Sequence, residues 1–591
     1  MSLELLANEL LLDLFEYFNA HHLLLAFYGL NTRFDQLLFI QLQKYYLDFR
    51  FISKNDFEYF CQQYLASINN RIISLHLSDD VETPNLPQLF LSHGYHMNQF
   101  IHLKSLSIDC ISSFDILNQI IVQCHELLHL THLNIMIHNN QDPEENFRDA
   151  INNIWSLPKL THCYLDIQYP YATWLLEMTM ISQSITYLST KSICYSSYSL
   201  LHLFKHTPRL ERLHIGSIGQ FYDQHIQTII PSLISLSMSA QFTLQWMKNL
   251  FQQIPNLCYL TLEINNIYLD GHGWEKILSN YFHKIKNFRL KMTIEFSPLE
   301  DIEEQVNQLI DSFRSHYWIE KHQWFVRCDW CPMDINKTGL LYTLPYAFDT
   351  FYYTDGSQSK STSPNSLDNF CRNSSKILHH TNHKRDLSQN WILYPVQFFN
   401  IRHLQIKLPF DDTFWSLIPT LDQLISLDVK LNRDLGYSQL QTLLDRAPHL
   451  YSLRFCHFND FSMTSFNIKS TSIRRLEFFQ HLEVRLRYFN SEECTILGNS
   501  SLAFQCEVLM IDVESRSNIL ELINTMPNLR ALSIRCKDNE NNQYESFETN
   551  DNLIEWLHQN LSSKYAYTIN RNLYNMARIN LWISNPSLEN K

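Results

Sequence analysis

The sequence predicts an α/β fold: a solenoid of strand-and-helix repeats with a curved parallel sheet and helices outside, preceded by a short three-helix segment and interrupted once mid-chain. Three observations predict it. An apolar-x-x-apolar-x-apolar pattern recurs from residue 72 to residue 534. Helix-like segments separate its copies, and several of them stop just before a proline. Residues 1–45 follow a different, purely helical spacing. In each copy the last two apolar positions alternate across a polar one, as a half-buried strand requires. One strand and one helix cannot bury their apolar faces alone, so such units must stack.

In the first series the copies are Ile72-Leu75-Leu77, Leu103-Leu106-Ile108, Leu130-Leu133-Ile135 and Leu160-Cys163-Leu165, then a degraded Ile185-Leu188. Leu210-Leu213-Ile215, Leu233-Leu236-Met238, Leu257-Leu260-Leu262 and Ile285-Phe288-Leu290 complete it. After a break follow Ile401-Leu404-Ile406, Leu424-Leu427-Val429, Leu450-Leu453-Phe455, Ile473-Leu476-Phe478, Cys506-Leu509-Ile511 and Leu529-Leu532-Ile534. Helices are predicted over Phe114–Glu126, Tyr222–Ile230, Leu244–Ile254, Trp274–Phe282 and Tyr437–Arg446. Thr207-Pro208, Ile254-Pro255 and Ala447-Pro448 mark helix-to-strand turns, because proline disfavours helix in the residue before it. Within each series the copies start 23–33 residues apart, which brackets the period of about 20–29 that leucine-rich repeats use. The series resembles that family; Asn265 and Asn432 stand at its asparagine offset, and most copies lack the asparagine.

Leu6, Leu10, Leu14, Phe15 and Phe18 fall at helical spacing, followed by Leu23, Leu24, Phe27 and Leu30, and then by Phe34, Leu37 and Leu38 after an Asn31-Thr32 helix start. Taken alone, these helices read as a cap for the solenoid end. The run Leu6-Ala7-Asn8-Glu9-Leu10-Leu11-Leu12-Asp13-Leu14-Phe15-Glu16-Tyr17-Phe18, with His22-Leu23 and Leu30-Asn31-x-Arg33-Phe34-x-x-Leu37, resembles an F-box. Ala7 replaces that family's usual proline, Phe18 a leucine and His22 an aspartate. The arrangement as a whole resembles F-box proteins with leucine-rich repeats. That resemblance implies a substrate receptor of an SCF-type ubiquitin ligase. Leu6, Leu10, Leu11, Leu14, Phe15, Phe18, Leu23, Leu24 and Phe27 would then dock the Skp adaptor of a cullin-RING core, and the solenoid would hold a target. The chain itself would be no enzyme and would work in the cytoplasm or nucleus.

The expected organisation is an F-box-like segment (1–45), a helical linker (46–70), a first repeat block (71–295), an insertion (296–395), a second repeat block (396–540) and a C-terminal helical cap (541–591). Within the insertion, Pro298–His316 reads as a helix, and Gln323–Arg327 and Leu340–Phe348 as strands around a turn. Residues 354–391 are rich in Ser, Asn, His and Asp and read as a loop. Trp318, Trp324 and Trp330 are expected to pack this hairpin onto the solenoid rather than bind a ligand.

Composition narrows the function. The net charge of -14 argues against nucleic acid as a general partner. The ten glycines form no phosphate-cradling loop and no hydrolase elbow, so no cofactor is expected. Thirteen cysteines without framework spacing read as free thiols in a reducing compartment. Glu4, Asn8, Glu9 and Asp13 interrupt any leader-like apolar start, and no stretch of about 18 apolar residues suggests a membrane span. His125-Glu126-Leu127-Leu128-His129 matches a zinc-hydrolase motif, but His129 directly precedes a repeat strand, so the two histidines should not share one helical face. Cys328-x-x-Cys331, with His316 and His322 nearby, lacks a second pair, and no metal site is expected. His379, His380 and His383 fall in the polar loop.

The open side of the strands carries the remaining candidates. In the first block these are His76, Ser107, Asp109, Asn134, Asp166, His214, Thr261 and Glu263. Arg289, Lys291, Lys407, Lys430, Arg454 and Arg535 then form a basic stripe, interrupted by Asp428, Glu477 and Asp512. The stripe is a candidate contact for an acidic or phosphorylated target segment. Apart from an SCF receptor, the readings open are a leucine-rich-repeat scaffold outside ubiquitin transfer and, as a minor one, a zinc metallohydrolase.

Overall fold

A computed structural model describes residues 3–584 apart from 43, 112, 138–145, 168–172, 219–228, 241–242, 266, 333, 365–374, 382–396, 411–413, 432–435, 457–467, 480–486, 538–551, 562–565 and 572–577. The chain is α/β, with two large, mostly parallel sheets and accompanying helices, consistent with a repeat solenoid. It divides into two compact units. One holds Met1–Ser235, Arg530–Leu532 and Ser562–Lys591; the other holds Leu236–Leu529 and Ser533–Leu561.

The first unit opens with three short helices, Asn8–Phe15 (α1), Ala20–Phe27 (α2) and Thr32–Gln36 (α3). Strands Tyr45–Asp48 (β1), Ile72–Ser78 (β2), Ser105–Asp109 (β3), His132–Ile137 (β4), His162–Ile167 (β5), Tyr187–Tyr195 (β6) and Arg212–Ile218 (β7) pair in parallel, in sequence order. The register puts the predicted positions side by side. Leu75, Leu106, Leu133, Cys163, Leu188 and Leu213 form one continuous buried row. Burial of each such leucine stabilises by about 1.5–3 kcal/mol. The same backbone contact recurs at successive turns: Thr131 and His132 donate to the Lys104 carbonyl, Thr161 and His162 to Thr131, and Thr186 and Tyr187 to Thr161.

Three expectations need correction. The stretch 46–70 is not wholly helical. Tyr45 and Leu47 are buried on alternate positions of a strand, and the helix Lys54–Phe60 (α4) begins only after Ser53 caps it. The helix predicted over Phe114–Glu126 ends earlier, at Cys124, and His125 and His129 share no helix, as their place before a strand implied. The tail 541–591 is not a helical cap: after one helix, Asn552–Asn560, it forms an antiparallel hairpin of Ala566–Arg571 with Arg578–Ser584. Trp582 from that hairpin packs 5.9 Å from Phe57, and the Ile583 amide donates to the Arg530 carbonyl. The Arg530 guanidinium is buried against Glu82 at 2.7 Å, 448 residues earlier in the chain. The helix predicted over Tyr222–Ile230, like His383 and Asn432, lies largely or wholly outside the described residues.

The second unit contains Ser235–Ala240 (β8) from Leu236 onward, Tyr259–Ile264 (β9) and Asn287–Glu295 (β10), then Val326–Trp330 (β11) and Thr338–Thr343 (β12). β9 and β10 are parallel; β12 then runs antiparallel to β10 and to β11. Next come Thr350–Thr354 (β13), Gln358–Ser361 (β14), Ile377–Thr381 (β15), His403–Leu408 (β16), Ser426–Leu431 (β17), Ser452–Cys456 (β18), Arg475–Phe479 (β19) and Val508–Val513 (β20). β13 and β15–β20 are parallel neighbours.

The insertion is therefore partly sheet. Its helix runs over Ile302–Ser312 and its hairpin is present, but β13, β14 and β15 fall inside or beside the expected polar loop. Phe351 and Leu378 supply the burial that draws β13 and β15 into the sheet. His379 and His380 are thus strand residues, and His380 is buried with its Nε2 3.0 Å from Asp355. The tryptophans pack as expected: Trp318 is buried, donates to the Gly271 carbonyl at 3.1 Å and lies 6.1 Å from Trp324. Trp330 is buried as well.

Candidate functional site: an N-terminal helical face and two open sheet faces

The three N-terminal helices close a small core of their own. Phe15 lies 5.1 Å from Phe27, and Phe27 lies 5.3 Å from Phe34. The Asn31 side chain caps α3 by accepting from the Phe34 amide. Arg33 ties the chain start down, donating to Asn8 Oδ1 at 2.8 Å and to the carbonyls of Glu4 and Leu6. The nine adaptor candidates separate by face. Leu11, Phe15, Leu23 and Leu24 are buried; Leu6, Leu14 and Phe27 are half-buried; Leu10 and Phe18 are 56% and 44% exposed. On α1 the buried pair Leu11/Phe15 and the outward pair Leu10/Leu14 each repeat at i,i+4, so the helix has an inward and an outward apolar edge. Leu5, Tyr17 and Leu30 are exposed as well.

The same helices also close the edge of the sheet. The Asn19 side-chain amide donates to the Asp48 carbonyl at 2.5 Å and accepts from the Asp48 amide at 3.1 Å, and Asn19 also bridges Tyr46, so the outer side of β1 is partly covered. His21 is buried beside Phe49 and Phe60. Burial first, and His22 second, lower its pKa from 6.5 to about 3, so the ring is neutral at ordinary pH.

The basic stripe is largely spent inside the fold. Lys291 is buried and pairs with Glu263 at 2.6 Å across β9–β10. Arg454 bonds Glu477 at 2.6 Å and Asp428 at 3.4 Å across β17–β19. Burial pushes the Glu477 carboxyl upward, but Arg475 and Arg454 outweigh it and hold it below its ordinary value. Arg535 is buried and bonded to Asp512. Arg289, Lys407 and Lys430 remain exposed, and Lys407 stands beside Lys430 in register. Of the six cations of the predicted stripe, three thus remain exposed, because carboxylates one strand away neutralise the others.

The open face of the first unit has a different character. A groove of about 360 Å³ crosses β3–β6, lined among others by Ser107, His132, Asn134, Met136, Tyr164 and Asp166. Three rings stack along one row: His132 on His162 at 4.3 Å and 12°, and His162 on Tyr187 at 5.5 Å and 22°. Tyr164 packs 5.0 Å from Tyr187. Each histidine is oriented by the threonine before it, with Thr131 Oγ1 and Thr161 Oγ1 both 2.9 Å from the respective Nδ1. Burial, then His132 and Arg212, lower the His162 pKa. Asn134 and Asp166 were expected on this face; the aromatic row was not, although Leu-Thr-His repeated at 130–132 and 160–162 was its visible signal. Beside it, His76 Nε2 lies 2.6 Å from Asp109 Oδ2.

Among the described residues, no group of three or more His, Cys, Asp or Glu is placed to hold a metal ion. Cys328 and Cys331 are buried, whereas His316 is exposed and paired with Glu320. Burial, aided by Asp329, pushes the Cys328 thiol well above its ordinary pKa, away from thiolate chemistry. No helix among the described residues is long and apolar enough to cross a membrane.

No family model matches the chain, and no curated protein is similar to it. Among solved structures, the crystal structure of the Rad7 and Elc1 complex in yeast aligns with 80% of this chain and 88% of that one, at 11% identity and a TM-score of 0.27. A superposition that loose carries no argument about fold or function.

Proposed function

We propose that this chain is the substrate-recognition subunit of an SCF-type E3 ubiquitin ligase. Its N-terminal helices dock a Skp adaptor, an open sheet face holds the target, and ubiquitin transfer falls to the cullin-RING partners, in cytoplasm or nucleus. The chain performs no catalysis in this reading. One observation carries it. Residues 3–38 bury their own aromatic core and still leave Leu10 and Phe18 exposed. A helix that only capped the sheet would gain nothing from an outward apolar edge, whereas a docking helix needs one.

A second reading has its own support. The Asn19 bonds to β1 are what a cap of a plain repeat scaffold would make. Point substitutions separate the two. Deleting residues 1–45 would strip Tyr45 and the β1 edge cap from the core, so it confounds docking with folding. In the full chain, Leu10→Ser with Phe18→Ser should reduce retention of purified Skp adaptor by about tenfold or more, with an unchanged circular dichroism spectrum. Failure of the unaltered chain to retain the adaptor would refute the ligase reading and leave the scaffold.

A further inference from the structure

We infer that the groove at the β3–β4 end of the ring row is a binding site for one planar aromatic ring, the indole of a tryptophan in an extended segment of a partner protein. This deepens the receptor reading and rests on it only for calling that partner a target.

Register is the first argument. One row of the open face reads Tyr46, Ser74, Ser105, His132, His162 and Tyr187 from β1 to β6. Its last three positions hold the column of stacked rings. The rings of His132 and His162 are within 12° of parallel, so the column runs across the strands. It stops at His132 because the next two strands supply serines. One face of His132 lies on His162. The other looks along the row over Ser105, and among the described residues no second ring meets it.

Spacing is the second argument. Neighbouring strands lie about 4.8 Å apart. The 4.3 Å between His132 and His162 shows that in-register rings on these strands reach stacking contact. A ring seated over Ser105 therefore takes the next place in the column. Serine leaves that place open, where a long side chain would fill it.

The groove itself is the third argument. Its volume is about 360 Å³, and this end is lined by Ser105, Ser107, His132 and Asn134. Ser107 and Asn134 stand opposite each other in register. A hydroxyl oxygen or an amide oxygen can accept the single N–H of an indole. The four lining residues carry no carboxylate, so a guanidinium would lose hydration there without gaining a counter-charge. A leucine would meet the ring face without stacking on it. Indole combines a broad π face with one donor, and that is what the platform and its polar edge fit.

The test uses the full chain and fluorescence anisotropy of a short fluorescein-labelled peptide with one tryptophan among serines, beside leucine and arginine counterparts. The tryptophan peptide should bind most tightly. Ser105→Tyr places a ring of the chain's own in the open position, and His132→Ser removes the platform; each should weaken that peptide by about tenfold, with an unchanged circular dichroism spectrum. His132→Phe keeps a ring there and should restore most of the binding lost in His132→Ser. Equal binding of the leucine or arginine peptide, full binding by both Ser105→Tyr and His132→Ser, or no binding of the tryptophan peptide would overturn the assignment. Binding of N-acetyltryptophanamide as tight as that of the peptide would overturn the choice of a segment over a free ring. Adaptor retention is read separately, so failure of docking and failure of this site are distinguishable.

Discussion

Protonation of His21 should release the N-terminal helices from the sheet edge. The ring is 5% exposed, and its Nδ1 has no hydrogen-bond partner. Its pKa is about 3 in the folded chain against 6.5 for an ordinary histidine. A histidine held neutral binds fewer protons than it does in the opened state, so stability rises with pH between these values. The contribution is complete above pH about 6.5 and is lost as pH falls toward 3. At pH 5 the opened state has gained about 2 kcal/mol relative to pH 8, a factor of about thirty in local opening. Asp48, the neighbouring acid, is held below its ordinary value and is still ionised at pH 5; burial works against this, and the Arg50 hydrogen bonds outweigh it. The assay is hydrogen exchange of the α1–α3 amides at pH 8 and pH 5, corrected for intrinsic rates. The perturbation is His21→Leu, which keeps the site apolar and removes the titrating group. The unaltered chain should lose about thirtyfold protection and the variant little. Equal pH dependence in both would refute the reasoning, as would an imidazole titrating near 6.5.

Two further outcomes follow from packing. Arg530→Met should destabilise the first unit by about 3–5 kcal/mol, because it removes the buried cation that Glu82 faces at 2.7 Å; Arg530→Met with Glu82→Leu should recover most of that loss in urea unfolding, and a single variant as stable as the double would contradict the pairing. Gly271→Ala should cost about 1–3 kcal/mol, since its Cβ would stand 2.3 Å from the Ser312 carbonyl oxygen; an unchanged urea midpoint would mean that the two helices do not approach this closely.

Arg454 and Arg535 looked like exposed sheet-face cations because Asp428, Glu477 and Asp512 are distant along the chain. Parallel stacking brings residues about one repeat apart within bonding distance, so each carboxylate meets a cation on the adjacent strand. The same stacking built the His132–His162–Tyr187 row from residues that are unremarkable singly.

What the sequence determined by itself is the periodic part. The pattern at Leu75, Leu106, Leu133 and their successors set strand positions, burial and register, because a period-two alternation admits one register once one face is apolar. The N-terminal helices were legible for the same reason, through i,i+4 spacing. The tertiary structure decided the rest. β1, β13 and β15 lie outside the recurring apolar pattern, and they pair because a neighbouring strand offers hydrogen bonds and their few apolar residues find burial. The C-terminal hairpin is held to the first unit through Trp582 and through Arg530, which meets Glu82 across 448 residues. Which apolar residues of α1 face outward, and which cations stay unneutralised, depended on partners no local pattern encodes, because burial and charge pairing are set by what packs against a side chain.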